Sequence, residues 1–192
     1  SVIEDNDGYV LGGYTKSKGK GGNDNWIIKT NKIGKIIWNK TYGGKNDDEV
    51  YSLINTKDGN YLGSGATESY GNGEYDFWLF KISKEGKMYW NSTFGGKYDE
   101  QAFSLIKSSK GHYVLGGYTD SKDDQNGDFW IVETDSEGNK LYEEVIGGKN
   151  QDISYSLISV NGNQFVMFGK TLSYSYGGSD MWIVKVESPA NI

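Results

Sequence analysis

The chain has 192 residues, a formal net charge of −6, 28 glycines, 15 tyrosines, one proline and no cysteine. All 20 of its basic residues are lysine, and with arginine absent and the balance acidic the composition argues against a nucleic-acid partner. No apolar run approaches the ~20 residues of a membrane-spanning helix, and without cysteine neither a disulfide framework nor thiol chemistry is open.

The remaining composition favours strands. Aromatic residues make up 15% of the chain, alanine is scarce and glycine is abundant, the mixture of an all-β protein with many turns. A chain of this length buries roughly 70% of its unfolded surface without staples. One spacing organises the sequence. Trp26, Trp78, Trp130 and Trp182 stand 52 apart, as do Tyr9, Tyr61, Tyr113 and Phe165, and Asp24, Asp76, Asp128 and Asp180. Gly43-Gly44, Gly95-Gly96 and Gly147-Gly148 keep the same step.

In chain order, the first unit opens on a partial strand, Ser1-Val2 aligning with Leu53-Ile54 of the second. The second unit shows the full pattern. Val50–Asn55 alternates, Asp58-Gly59 reverses the chain into Tyr61–Ala66, and eight loop residues lead from Thr67 to Asp76. Asp76–Ile82 is an aromatic strand, and Gly86, matched by Gly34 and Gly138, suits the left-handed position of the turn into Lys87–Phe94. The third unit repeats this, whereas the fourth leaves the pattern at Ser188-Pro189, so the strand expected near position 190 is missing. No window carries a capped 3.6-residue apolar stripe, and no helix is expected.

Four antiparallel strands per unit at this period are the signature of a β-propeller blade, which must stack on its neighbours to bury both faces. The expected fold is a single all-β domain, 1–192, a four-bladed β-propeller whose last blade lacks its fourth strand. Its blades cover approximately 1–48, 49–100, 101–152 and 153–192. The four tryptophans are expected to fill the seams between blades.

The strings Thr41–Glu49 (TYGGKNDDE) and Lys57–Thr67 (KDGNYLGSGAT) resemble the bacterial and archaeal surface β-propeller repeat, and the likeness covers nearly the whole chain. The resemblance implies an extracellular or cell-surface setting, with adhesive, structural or binding roles, and it brings no catalytic residue. The function expected is a non-enzymatic structural or interaction module. The unpaired strand Asp180–Val186, with Asp180, Trp182, Val184 and Val186, is the expected edge for association with other copies into fibres or arrays.

The alternative is a lectin-like module. Four long loops precede the strand-opening aspartates, and Tyr70, Tyr75, Tyr174 and Tyr176, set among Ser, Gly and Asn, have the composition of binding loops suited to glycans or partners. Asp120, Asp123, Asp124 and Asp128, with Asn126, offer oxygens for Ca²⁺, although the spacing departs from the twelve-residue calcium loop and a solvated acidic loop is the plainer reading. Otherwise no cofactor is expected. Asp47-Asp48-Glu49, echoed by Asp99-Glu100 and Asp152, reads as a supplier of turn hydrogen bonds. Asn39 and Asn91 head glycosylation sequons at the same repeat position. The lone histidine, His112, falls in a hairpin turn and reads as solvated surface.

Overall fold

The computed structural model describes residues 1–122 and 126–189. These form four antiparallel sheets, and no helix is present among the described residues. Sheet 1 contains β1 (Val2–Asp5), β2 (Gly8–Thr15), β3 (Asp24–Asn31) and β4 (Ile36–Tyr42). Sheet 2 contains β5 (Asp48–Asn55), β6 (Tyr61–Thr67), β7 (Asp76–Ile82) and β8 (Met88–Phe94). Sheet 3 contains β9 (Glu100–Lys107), β10 (Tyr113–Thr119), β11 (Asp128–Thr134) and β12 (Lys140–Ile146). Sheet 4 contains β13 (Asp152–Asn161), β14 (Gln164–Thr171) and β15 (Asp180–Glu187), three strands among the described residues. Each sheet is a meander in chain order, an arrangement that fits a β-propeller-like repeat fold.

Local chemistry sets the turns. Gly34, Gly86 and Gly138 take φ of 80°, 75° and 84° between the third strand and the fourth, a region in which any Cβ is strained. The innermost strands β5, β9 and β13 each carry a bulge at the same repeat position, leaving Tyr51, Phe103 and Tyr155 outside the pairing ladder. Their rings line up, Tyr51 to Phe103 at 5.1 Å between centroids and Phe103 to Tyr155 at 5.7 Å. Opposite these bulges, a Cβ on Gly65, Gly117 or Gly169 would lie within 2 Å of an inner-strand carbonyl oxygen, so only glycine fits.

Sheet 1 departs from the pattern. The tight turn that pairs Asp5 with Gly8 sets Val2 opposite Leu11, whereas the aligned Ile54 lies opposite Leu62. The sequence alignment of Ser1-Val2 with Leu53-Ile54 therefore does not carry over to pairing. A slip of one residue exchanges faces, and it brings Ile3 against the core while Val2 becomes exposed.

Three apolar seams hold the sheets together, and each joins the same two kinds of face. Val10 and Ile27 of sheet 1 meet Val50, Leu53, Tyr61, Trp78 and Phe80 of sheet 2. Leu62, Phe77 and Leu79 of sheet 2 meet Leu105, Tyr113, Leu115, Trp130 and Val132 of sheet 3. Val114, Phe129 and Ile131 of sheet 3 meet Leu157, Phe165, Met167 and Val186 of sheet 4, with Trp182 packed alongside. Each fully buried Leu, Ile or Phe contributes about 1.5–3 kcal/mol. Trp78, Trp130 and Trp182 thus lie in seams, while Trp26 lies half-buried on a face of sheet 1 that no sheet covers among the described residues.

The other end of the stack is also open. Phe77, Phe129, Leu79 and Ile131 are fully buried, yet Met181 and Ile183 at the same repeat positions are 81% and 68% exposed. Position in the stack, rather than residue type, decides what these side chains contribute. Leu79→Ala is expected to cost about 2–5 kcal/mol, and Ile183→Ala to stay within about 0.5 kcal/mol, when the isolated chain is unfolded in urea.

Candidate functional site

The long loops and the connections between sheets meet along one side of the stack, where buried carboxylates latch them together. Asp48, Glu100 and Asp152 open the inner strands and are fully buried. Asp48 accepts from Thr67 Oγ1, from Ser69 Oγ at 2.7 Å and from the Gly44 amide at 2.8 Å. Glu100 accepts from Thr119 Oγ1 at 2.9 Å and from the amides of Ser121 and Gly96 at 3.0 and 2.7 Å. Asp152 accepts from the amides of Gly148 and Leu172 at 3.0 and 3.2 Å. A buried carboxylate with this many donors has its hydrogen-bonding capacity largely filled and has little left for a ligand.

The strand-opening aspartates act locally. Asp24 accepts from the amides of Lys20 and Gly21, Asp76 from Asn72 and Asp180 from Tyr176, each fixing the exit of its own loop. Asp128 is buried at the matching place. Burial, helped by the nearby Glu100 and opposed by the Asn72 N–H, pushes the Asp76 carboxyl up to about 6. Asp120 is likewise raised to about 6 by burial and by Asp99, Glu100 and Glu74. Among the described residues no group of three or more His, Asp or Glu is placed to hold a metal ion. Of the acidic run considered for Ca²⁺, Asp120 and Asp128 are placed, while Asp123 and Asp124 lie outside the described residues.

The loop tyrosines divide into two kinds. Tyr70 and Tyr174 occupy the same repeat position, and each ring tilts against the tryptophan of its own sheet, at 5.8 Å from Trp78 and 5.0 Å from Trp182. Their hydroxyls donate to Gly43 O at 3.0 Å and Gly147 O at 2.8 Å, tying each loop to the preceding connection. Lys18 and Lys122 hold that position in sheets 1 and 3 and lie over Trp26 and Trp130 at 5.3 and 6.0 Å. The position is therefore a tryptophan cap, a role that sequence reasoning missed. The 52-residue column Lys18, Tyr70, Lys122, Tyr174 is its only sequence trace. Tyr75 donates to Asp47 Oδ2 at 3.4 Å, and burial together with Glu68, Asp47 and Glu49 holds its phenol far above the ordinary range. Tyr176 is fully exposed.

The sequon asparagines serve the same tryptophans. Trp26 Nε1 donates to Asn39 Oδ1 at 3.3 Å, and Trp78 Nε1 donates to Asn91 Oδ1 at 3.2 Å. Glu143 holds the place in sheet 3, where Trp130 Nε1 is buried without a partner. Both asparagines are exposed on the outer strands β4 and β8.

His112 is not a solvated turn residue. Its Nδ1 lies 2.9 Å from Oε1 of Glu133, which is buried. In sheet 1 the buried Lys29 pairs with Asp5 and Asp7, and in sheet 2 Lys81 pairs with Asp58 at 2.7 Å. Sheet 3 places Glu133 where sheets 1, 2 and 4 have lysine and sets His112 in the turn that faces it. The column Lys29, Lys81, Glu133 carries the signal.

β15 is the edge of sheet 4 among the described residues, pairing with β14 alone. The side chains of Trp182, Val184 and Val186, expected at a self-association edge, turn inward and pack against sheet 3, because alternate residues of a strand take opposite faces. Met181 and Ile183 take the outward face. Together with Tyr155, Phe168, Lys170, Ser179 and Asp180, Met181 borders a shallow depression of about 240 Å³. Sequence reasoning missed these apolar residues, since at positions 77, 79, 129 and 131 the same pattern means core.

No protein-family model matches the chain, and a search of curated proteins finds no similar sequence.

Two measurements bear on this site. Asn91→Ala leaves the buried Trp78 N–H without its acceptor and is expected to cost about 1 kcal/mol in urea unfolding. Asp76 binds its proton more tightly folded than unfolded, with a pKa of about 6 against 3.8, so its contribution to stability falls as pH rises from about 4 to 6. Between pH 7 and pH 5 wild type is expected to gain stability relative to Asp76→Asn. An identical pH dependence of the two would contradict the raised pKa.

Proposed function

We propose that the chain is a four-bladed β-propeller repeat module of extracellular or cell-surface setting, non-enzymatic, whose role is structural, through association with copies of itself into fibres or arrays. The observation that carries this reading is the open end of sheet 4. The equivalent strands β3, β7 and β11 are paired on both sides, but among the described residues β15 pairs with β14 alone and offers an unpaired backbone edge beside exposed Met181 and Ile183. Open edges and apolar patches of this kind recruit further strands or sheets. The likeness of Thr41–Glu49 and Lys57–Thr67 to surface propeller repeats supports the setting.

A lectin-like use of the loops draws less support. The phenols of Tyr70, Tyr174 and Tyr75 already bond Gly43, Gly147 and Asp47, which leaves Tyr176 as the one fully exposed ring of the four. The several hydroxyl and amide donors already held by each of Asp48, Glu100 and Asp152 support a non-catalytic role for those carboxylates.

Light scattering across a concentration series, with negative-stain electron microscopy of the same material, tests the reading. The expected result is a mass that climbs above the 21.4 kDa of one chain, with filaments, rings or arrays in the images. Isolated particles of one-chain mass at every concentration would overturn it.

A further inference from the structure

Every internal seam joins a sending face to a receiving face. Sheet 2 sends Leu62, Phe77 and Leu79, and sheet 3 receives them on Leu115, Trp130 and Val132; the seams on either side repeat this order. Two such faces stand at the ends of the stack. The sending face of sheet 4 presents Phe168, Met181 and Ile183, and the receiving face of sheet 1 presents Tyr9, Leu11 and Trp26. We propose that the sending face of sheet 4 packs on the receiving face of sheet 1 in a second copy of this chain, making between molecules the seam that is made three times within one. The inference rests on the self-association proposed above and names both partners of the contact.

Apolar exposure supports this choice of occupant. Phe168, at the position of Gly12 in sheet 1 and Gly116 in sheet 3, projects a ring from sheet 4 and is 40% exposed beside Met181 and Ile183. It lies on the face that the next sheet covers in each internal seam.

Charge supports it independently. In the seam between sheets 1 and 2 the sending Lys29 approaches the ring of the receiving Tyr61 at 5.8 Å. Lys185 holds the position of Lys29 in sheet 4, and Tyr9 that of Tyr61 in sheet 1; both are exposed. Seating sheet 4 on sheet 1 brings the same cation–aromatic pair together. The two faces differ, so the contact is heterologous, and repeated addition either closes a ring or continues as a filament.

Variants that disable one face each provide the test. Ile183→Lys charges the sending face and Leu11→Lys the receiving face, both at exposed positions, with Met181→Glu as a second sending-face variant should Ile183→Lys fold poorly. Near-UV circular dichroism of the tryptophans checks the fold. At about 100 μM, ample for an interface of ordinary size, wild type is expected to exceed one-chain mass in sedimentation and each variant alone to remain at it. A one-to-one mixture of the two is expected to reach twice one-chain mass and stop there, because one good junction remains. Variants that assemble like wild type, or a mixture that stays at one-chain mass, would overturn the seam while leaving self-association through another surface standing. Wild type at one-chain mass throughout would overturn both.

Discussion

A sheet that is apolar on both faces has to be covered on both, and the fold follows from that constraint. Phe77 and Leu79 on one side of sheet 2, with Trp78 and Phe80 on the other, leave no face for water, and only a neighbouring sheet of matching period covers each. The unit of stability is therefore the seam rather than the sheet. Local alternation of residues along each strand distributes the side chains, and the stack turns that alternation into a continuous core.

The polar parts of the repeat keep the seams in register. Buried Asp48, Glu100 and Asp152 gather hydroxyls and amides from the loop of their own sheet and from the connection behind them, so each inner strand is pinned where it enters the stack. At the opposite edge Trp38 Nε1 donates to Lys84 O, and the Tyr42 hydroxyl donates to Gly86 O, so the outer strand of sheet 1 clasps a turn of sheet 2. Bonds of this kind contribute modestly to net stability but are costly to leave unmade, which makes them better at enforcing register than at driving association. Apolar area drives the stacking and the latches select its geometry.

The loop residues show how one side chain comes to serve packing where composition suggests recognition. Tyrosine among serine and glycine is the vocabulary of binding loops, and also what caps an indole with one end and reaches a carbonyl with the other. Tyr70 and Tyr174 do the second, and lysine does half of it at Lys18 and Lys122. The sequon asparagines make the same point, since Asn39 and Asn91 satisfy indole N–H groups whether or not their amides carry sugar.

The strands, their antiparallel order and the glycine turns were legible in the 52-residue step and the alternation within each unit, because both are local properties of a chain that repeats without insertion. The edge at β15 was legible for the same reason, since a unit with three strands ends on one. The slip of β1, the bulges that release Tyr51, Phe103 and Tyr155, and the Glu133–His112 pair were not, because each depends on which carbonyl or charge a distant strand presents. Nor could the sequence separate Met181 and Ile183 from Phe129 and Ile131. The sequence by itself determined that each sheet has two apolar faces; the tertiary structure alone decided which of them remain uncovered, because burial belongs to a side chain's place in the stack and not to its place in the repeat.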